Sequence, residues 1–291
     1  MARIAVLWPI LLAAACAGGE ERPTSTLERE VRRALARTAP EARASVWLAE
    51  ADGPELLAME ADRVVPAAST VKLLILAEAH AQSKAGTFSW VEETTLRAED
   101  RVGGAGSLRH ERPGSTWTWL QVSRRMIAES DNMASNLLLR RLGAERVNAR
   151  AAALGLRHTR IEREFMDGDA RREGRENRTT AREMGSLARA VFRKEAVGPR
   201  EDEEMIALLE RTSRGRIASG VPREVPVGHK GGTGPALRAD VGWVRLPGRP
   251  YVLSIFLDGV LERPEGSPDR GVEAIEAVAR AVWRTLGPAD E

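Results

Sequence analysis

Apolar residues recur along this chain in two rhythms. Between residues 26 and 37, Leu27, Val31 and Leu35 fall at four-residue steps, the spacing that lines one face of a helix. Segments 43–49 and 55–59 are short β-prone runs on either side of the turn Asp52-Gly53-Pro54, which predicts a strand pair. Segment 70–82 is apolar almost throughout and reads as a helix buried on all sides. A further helix is predicted from Ser115 through Trp119, Val122 and Met126, with helical segments following at 133–142 and 144–153. Segment 160–178 is polar, rich in glycine and aspartate turn signals and without period, so it reads as a long ordered loop of functional kind. Helices return at 180–192 and 202–211. Strands are predicted at 225–228, 239–245 and 251–257, the last two joined at Pro247-Gly248-Arg249-Pro250, and a helix at 272–286 closes the series.

Strands, then helices, then strands, then a helix predict an α+β architecture. An antiparallel sheet is assembled from both chain ends, with an all-helical domain inserted between them. The expected division is 26–62 with 212–291 for the α/β part and 63–211 for the helical part.

The N-terminus has a different character. Arg3 precedes a twelve-residue apolar run, 4–15. That run is short for a bilayer span of about 20 residues but suits a signal segment. Cys16 stands where bacterial lipoprotein signals place their lipidated cysteine, although the leucine expected three residues before it, Leu12, lies four before. Residues 1–16 are therefore expected to be a signal peptide and 17–25 a tether. The protein is expected to be exported, as a periplasmic or membrane-anchored lipoprotein with a lipid at Cys16. No later segment is apolar enough to span a membrane.

Composition narrows the functional classes. With 43% hydrophobic and 30% charged residues among 291, the chain fits a soluble globular protein. Forty-four basic and 42 acidic side chains leave a net charge of +2, without the clustered excess of a nucleic-acid binder. One cysteine excludes an intramolecular disulfide, and the four histidines include no pair at metal-ligand spacing. No metal, cofactor or nucleic acid is expected, and the protein is expected to be a monomer acting on a small molecule. Trp117 and Trp119 read as partly buried aromatics at a helix start.

Only four of the 44 basic residues are lysines: Lys72, Lys84, Lys194 and Lys230. Where arginine serves nearly everywhere, a retained lysine marks a place for an amine able to lose its proton. Lys72 belongs to Ser69-Thr70-Val71-Lys72. A helix beginning near Ser69 would set the amine beside the hydroxyl, where a neutral amine can activate it as a nucleophile. Ser130-Asp131-Asn132 supplies a hydroxyl that both donates and accepts, and an amide able to hold a substrate carbonyl or N–H. It also reads as a helix start. In the run 227–234, a strand ends in Lys230 followed by Gly231 and Gly232, which allows close approach of a substrate backbone.

In this order the three motifs resemble those of the serine β-lactamase and penicillin-binding protein superfamily, and most of all class A β-lactamases. The resemblance implies a helical domain beside an α/β domain with the site between them, and acyl transfer without a cofactor. It implies Ser69 as nucleophile, Lys72 in proton removal, Ser130 as proton relay and Asn132 on the substrate side chain. Backbone N–H groups of Ser69 and Thr233 would form the oxyanion hole. Lys230, assisted by Arg238, would face a substrate carboxylate. The expected substrate is a β-lactam. A D-alanyl peptide or small ester is the alternative, as is a non-catalytic binder of cell-wall peptides.

Two positions depart from the pattern. The loop glutamate that activates the deacylating water is Phe165 here. Glu164, one residue out of register, is the candidate substitute for it, with Asp167 next. Gly231 stands where the family carries threonine or serine, and Thr233 is the residue that would replace that hydroxyl. Acylation is thus expected to be intact and deacylation slow.

Overall fold

The computed structural model describes residues 25–212, 215–261 and 267–287, so the expected signal peptide and Cys16 lie outside the described residues. The first described helix, α1 (Thr26–Thr38), leads into the antiparallel pair β1 (Arg43–Glu50) and β2 (Glu55–Met59). The short β3 (Val65–Pro66) and a 3₁₀ turn (Ala68–Val71) then open α2 (Lys72–Lys84). A small strand pair, β4 (Glu93–Thr95) with β5 (Thr116–Thr118), precedes α3 (Trp119–Ala128), α4 (Asn132–Leu142) and α5 (Ala144–Ala153). Next come α6 (Gly168–Arg172), β6 (Arg178–Thr179) against β3, α7 (Ala181–Phe192) and α8 (Pro199–Leu209). The chain ends in β7 (Val227–Gly234), β8 (Leu237–Val244), β9 (Tyr251–Asp258) and α9 (Arg270–Leu286).

The main sheet has the order β2-β1-β9-β8-β7, antiparallel throughout. Pairing of β1 with β9, from Arg43 opposite Asp258 to Glu50 opposite Tyr251, joins the two chain ends. This is the α+β arrangement the sequence implies. Side chains alternate between sheet faces, and here both faces are covered. Val46, Leu48, Leu253 and Ile255 pack with Val31, Ile275 and Val278 of α1 and α9. Trp47, Val252 and Phe256 pack with Met184 and Leu187 of α7 in the core that runs on through the helical part. Double burial explains why β1 and β9 read as continuous apolar runs rather than alternating ones.

Helix α2 is buried from Lys72 to Gln82, as its all-round apolar surface predicts. Among the described residues no helix is long and apolar enough to cross a membrane.

Three local expectations change. Ser115 does not start a helix: 116–118 pair with β4, and Thr118 caps α3 by accepting from Gln121 N–H while the Gln121 side chain accepts from Thr118 N–H. Segment 227–234 is strand along its whole length, not a strand stopping at 228, because every residue has a partner on β8. The loop 160–178 contains the short helix α6.

Candidate active site

A cleft of about 650 Å³ opens where the 3₁₀ turn, the α3–α4 junction, the 160–178 loop and β7 meet. Ser69, Ser130, Asn132, Lys230, Gly231 and Thr233 all border it. The chain thus brings together six positions spread over 165 residues of sequence, roughly the separation that the motif order implied.

Ser69 sits in the 3₁₀ turn, not in the helix proper, and is half-buried. Ala68 before it has φ +45°, a left-handed conformation unusual for a residue with a Cβ. The turn is held by Ala67 N–H donating to the Asn177 carbonyl (2.7 Å) and by the Thr70 hydroxyl donating to the Ala67 carbonyl (2.6 Å). β7 runs close against it. A Cβ on Gly232 would lie 3.2 Å from Ala68 Cβ and 3.3 Å from Ser69 N, so a side chain there would crowd the turn.

Lys72, the first residue of α2, is fully buried. Its amine donates to the Ser130 carbonyl, to Asn132 Oδ1 (2.9 Å), to Ser130 Oγ (3.3 Å) and to the Asp131 carbonyl (3.4 Å). The expected direct pairing with the Ser69 hydroxyl is not among its hydrogen bonds. Four oxygens of the 130–132 segment compete for a buried amine, and together they outweigh one hydroxyl. Burial, and after it the nearby Lys230, hold the Lys72 amine well below the ordinary lysine range, with Asp131 opposing.

The 130–132 segment divides its work. Asp131, not Ser130, caps α4, accepting from Ala134 N–H (2.9 Å) and also from Leu108 N–H (2.7 Å). Ser130 is left at φ +55° with its hydroxyl between two amines, 3.3 Å from Lys72 Nζ and 3.0 Å from Lys230 Nζ. Asn132 accepts from Lys72 through Oδ1 and donates from Nδ2 to the Gly103 carbonyl (3.2 Å). Burial, followed by repulsion from Arg216, brings Lys230 down to about 7, against the pull of Asp240.

Two expected site residues stand elsewhere. Glu164 does not border the cleft: its carboxylate is held on both oxygens by Arg140, at 2.7 and 2.8 Å. Arg140 also binds Asp100 (2.6 Å), so the Glu164 carboxylate is engaged away from the cleft. Arg238 points out of the cleft as well. It pairs with Asp269 (2.5 Å) and donates to the Gly234 and Leu237 carbonyls (2.9 and 2.8 Å). Asp167 does border the cleft, with Oδ1 taken by Ala170 N–H (2.9 Å) at the start of α6.

Phe165, in the loop, stands against the Lys72 amine. Asn136 pins its backbone from both sides, accepting from Phe165 N–H (2.8 Å) and donating to the Phe165 carbonyl (3.0 Å). The ring centre lies 4.6 Å from Lys72 Nζ. Asn177 fastens the same loop by accepting from Glu162 and Arg163 N–H (2.8 and 3.0 Å). Asn136, Asn177 and Arg140 escaped the sequence reading because each works through the backbone or through a partner distant in sequence. Arg216, which borders the cleft and binds Thr233 Oγ1 (2.6 Å), escaped it because it is one arginine among many.

Comparisons with known proteins bear on the family and the fold. The sequence profile described as the beta-lactamase enzyme family matches residues 26–286. A beta-lactamase of Streptomyces lavendulae is 32% identical over 160 residues, 53% of this chain and 52% of that protein. The match thus spans about half the length of the curated relatives. Among solved structures, a beta-lactamase from Sphaerobacter thermophilus DSM 20745 superposes with a TM-score of 0.81 at 26% identity, covering 88% of this chain and 95% of that one. A mutant of PBP-A, described as an acyl-enzyme complex with penicillin-G, superposes with a TM-score of 0.79 at 29% identity, covering 91% of this chain and 98% of the other.

Proposed function

This chain belongs to the beta-lactamase enzyme family, and from that premise we propose that it is a serine hydrolase acting on β-lactams through an acyl-enzyme at Ser69. The observation that carries the reading is the Ser130 hydroxyl, set between two amines that burial makes less basic and bordering the same cleft as Ser69.

Ser69 Oγ attacks the ring carbonyl, the C–O bond forms, and the hydroxyl proton passes to the Lys72 amine. The Ser69–Lys72 hydrogen bond, not made in the free protein, forms when substrate fills the site. Collapse of the tetrahedral intermediate breaks the ring C–N bond. Ser130 gives its proton to the departing nitrogen and is reprotonated from Lys72, so the proton that left Ser69 ends on the product. Lys230, an ammonium at or below about pH 7, stands at the substrate's carboxylate end.

Deacylation needs a base to activate water, and Phe165 offers none. With Glu164 bound to Arg140, the loop carboxylates bordering the cleft are Asp167, whose Oδ1 caps α6, and Glu176, paired with Arg163 and Arg171, and their engagement supports slow turnover. Intact-mass measurement after exposure to penicillin G tests the proposal. The wild type is expected to gain one penicillin mass that persists, and Ser69→Ala to gain none. An unmodified wild type, under conditions that label a control β-lactamase, would defeat it.

A further inference from the structure

Met166 is the one methionine left exposed among the described residues. It is 54% exposed and borders the cleft, whereas Met59, Met126, Met133, Met184 and Met205 are buried, none more than 8% exposed. Oxidation of a thioether by peroxide requires access to the sulfur. The described chain thus presents a single accessible methionine sulfur, at its candidate site, and packs the others into the core.

The position of that sulfur is fixed. Met166 has φ +66°, a conformation disfavoured for a residue with a Cβ and kept only where neighbours hold it. They do so on both sides. Asn136 clamps the Phe165 backbone before it, and Asp167 after it caps α6 through Ala170 N–H. The Met166 side chain reaches the 103–104 segment. A Cβ on Gly103 would lie 3.9 Å from Met166 Cε, and one on Gly104 would lie 3.0 Å from Met166 Sδ and 2.5 Å from Asn132 Nδ2. Sulfur and amide therefore flank the same glycine, whose bare Cα, at φ +79°, leaves both their room.

Asn132 Nδ2 carries two N–H groups. One donates to the Gly103 carbonyl (3.2 Å), and the other remains for the side-chain carbonyl of a substrate. A thioether is a weak acceptor and does not compete for that N–H, whereas oxidation makes the side chain polar and gives it an acceptor oxygen.

We propose that Met166 is a peroxide-sensitive modification site, and that its sulfoxide engages the Asn132 amide and so slows acylation by substrates with a side-chain carbonyl. In the step, the peroxide O–O bond breaks, one oxygen forms the S=O bond and the other leaves as water. The sulfur gives up two electrons and the peroxide takes them. The oxidant class is a hydroperoxide small enough to enter the cleft. The consequence for acylation rests on the serine-hydrolase reading, and the oxidation itself does not.

The test treats the full chain with hydrogen peroxide, maps the oxygen gained by peptide mass, and follows acylation by intact mass. Met166 is expected to oxidise ahead of the five buried methionines. Once converted, the wild type should take up penicillin G about threefold to tenfold more slowly, the range for one neutral hydrogen bond. The penicillin nucleus bearing an amine in place of the acylamino group has no side-chain carbonyl, and its rate should be unaltered. Met166→Leu, treated in the same way, should keep its own untreated rate with both compounds. Oxidation of the buried methionines as fast as Met166 would overturn the modification site. An unchanged rate with penicillin G, or equal losses with both compounds, would overturn the link to Asn132, and an equal loss in Met166→Leu would overturn the assignment to this residue. An untreated wild type that takes up neither compound would sink the serine-hydrolase reading instead, while peptide mass would still decide the site of oxidation.

Discussion

Phe165 stands over the Lys72 amine with its backbone clamped by Asn136, so whatever side chain occupies 165 is delivered to the same spot. A carboxylate there would meet the amine and the cleft, where it can activate a water. Phe165→Glu is therefore expected to shorten the life of the penicillin adduct by about a hundredfold, the usual scale of general-base assistance. Mass spectra taken over time after removal of free penicillin check this, and an unaltered lifetime would show that water access, not a missing base, limits turnover. At this scale much of the site was legible. Ser69, Ser130, Asn132 and Lys230 are named by their chemistry and border one cleft, with Lys72 buried against Ser130 and Asn132. Glu164 was not legible, because its fate depends on Arg140, 24 residues earlier in sequence. Arg238 failed for the same reason: Asp269 claims it.

The helix α4 shows how one element serves both structure and site. Its cap Asp131 is buried and holds two N–H groups, Ala134 within the helix and Leu108 from the preceding loop. Capping thereby fixes the turn that aims Ser130 between the amines. Asp131→Ala would remove the cap and leave the buried Leu108 N–H without a partner. A loss of roughly 2–3 kcal/mol is expected, together with slower acylation at Ser69. Urea unfolding of both proteins would measure it, and equal midpoints would contradict the account. Long periodic elements such as α1, α2 and α9 were readable from their spacing. The 3₁₀ turn at Ser69 and the glycine-rich end of β7 were not. Both are specified by neighbours, the Asn177 carbonyl for the turn and the β8 ladder for the strand, rather than by the preference of their own residues.

For the whole molecule, burying the cleft's lysines ties stability to pH. Unfolded, Lys230 has an ordinary lysine pKa of about 10.4, whereas folded it is brought down to about 7. Between those values the unfolded chain binds more protons, so stability should rise with pH from 7 towards 10 and fall as pH drops to 7. The slope from a single such group is at most about 1.4 kcal/mol per pH unit. Lys230→Met should lose this contribution, so the stability difference between wild type and variant should grow in the wild type's favour across that window. Parallel pH profiles would refute the burial argument.

The sequence by itself determined the α+β order of elements, the sheet drawn from both chain ends and the candidate reactive groups. These follow from local periodicity and side-chain chemistry, which need no partner to be read. Only the tertiary structure decided which charges are free to act. Glu164 and Arg238 are consumed in ion pairs, while Arg216 and Lys230 border the cleft and donate, among the described residues, to neutral oxygens of Thr233, Ala239, Ser130 and Gly231. A charged group's availability depends on what stands within a few ångströms of it, and packing brings those neighbours from remote parts of the chain.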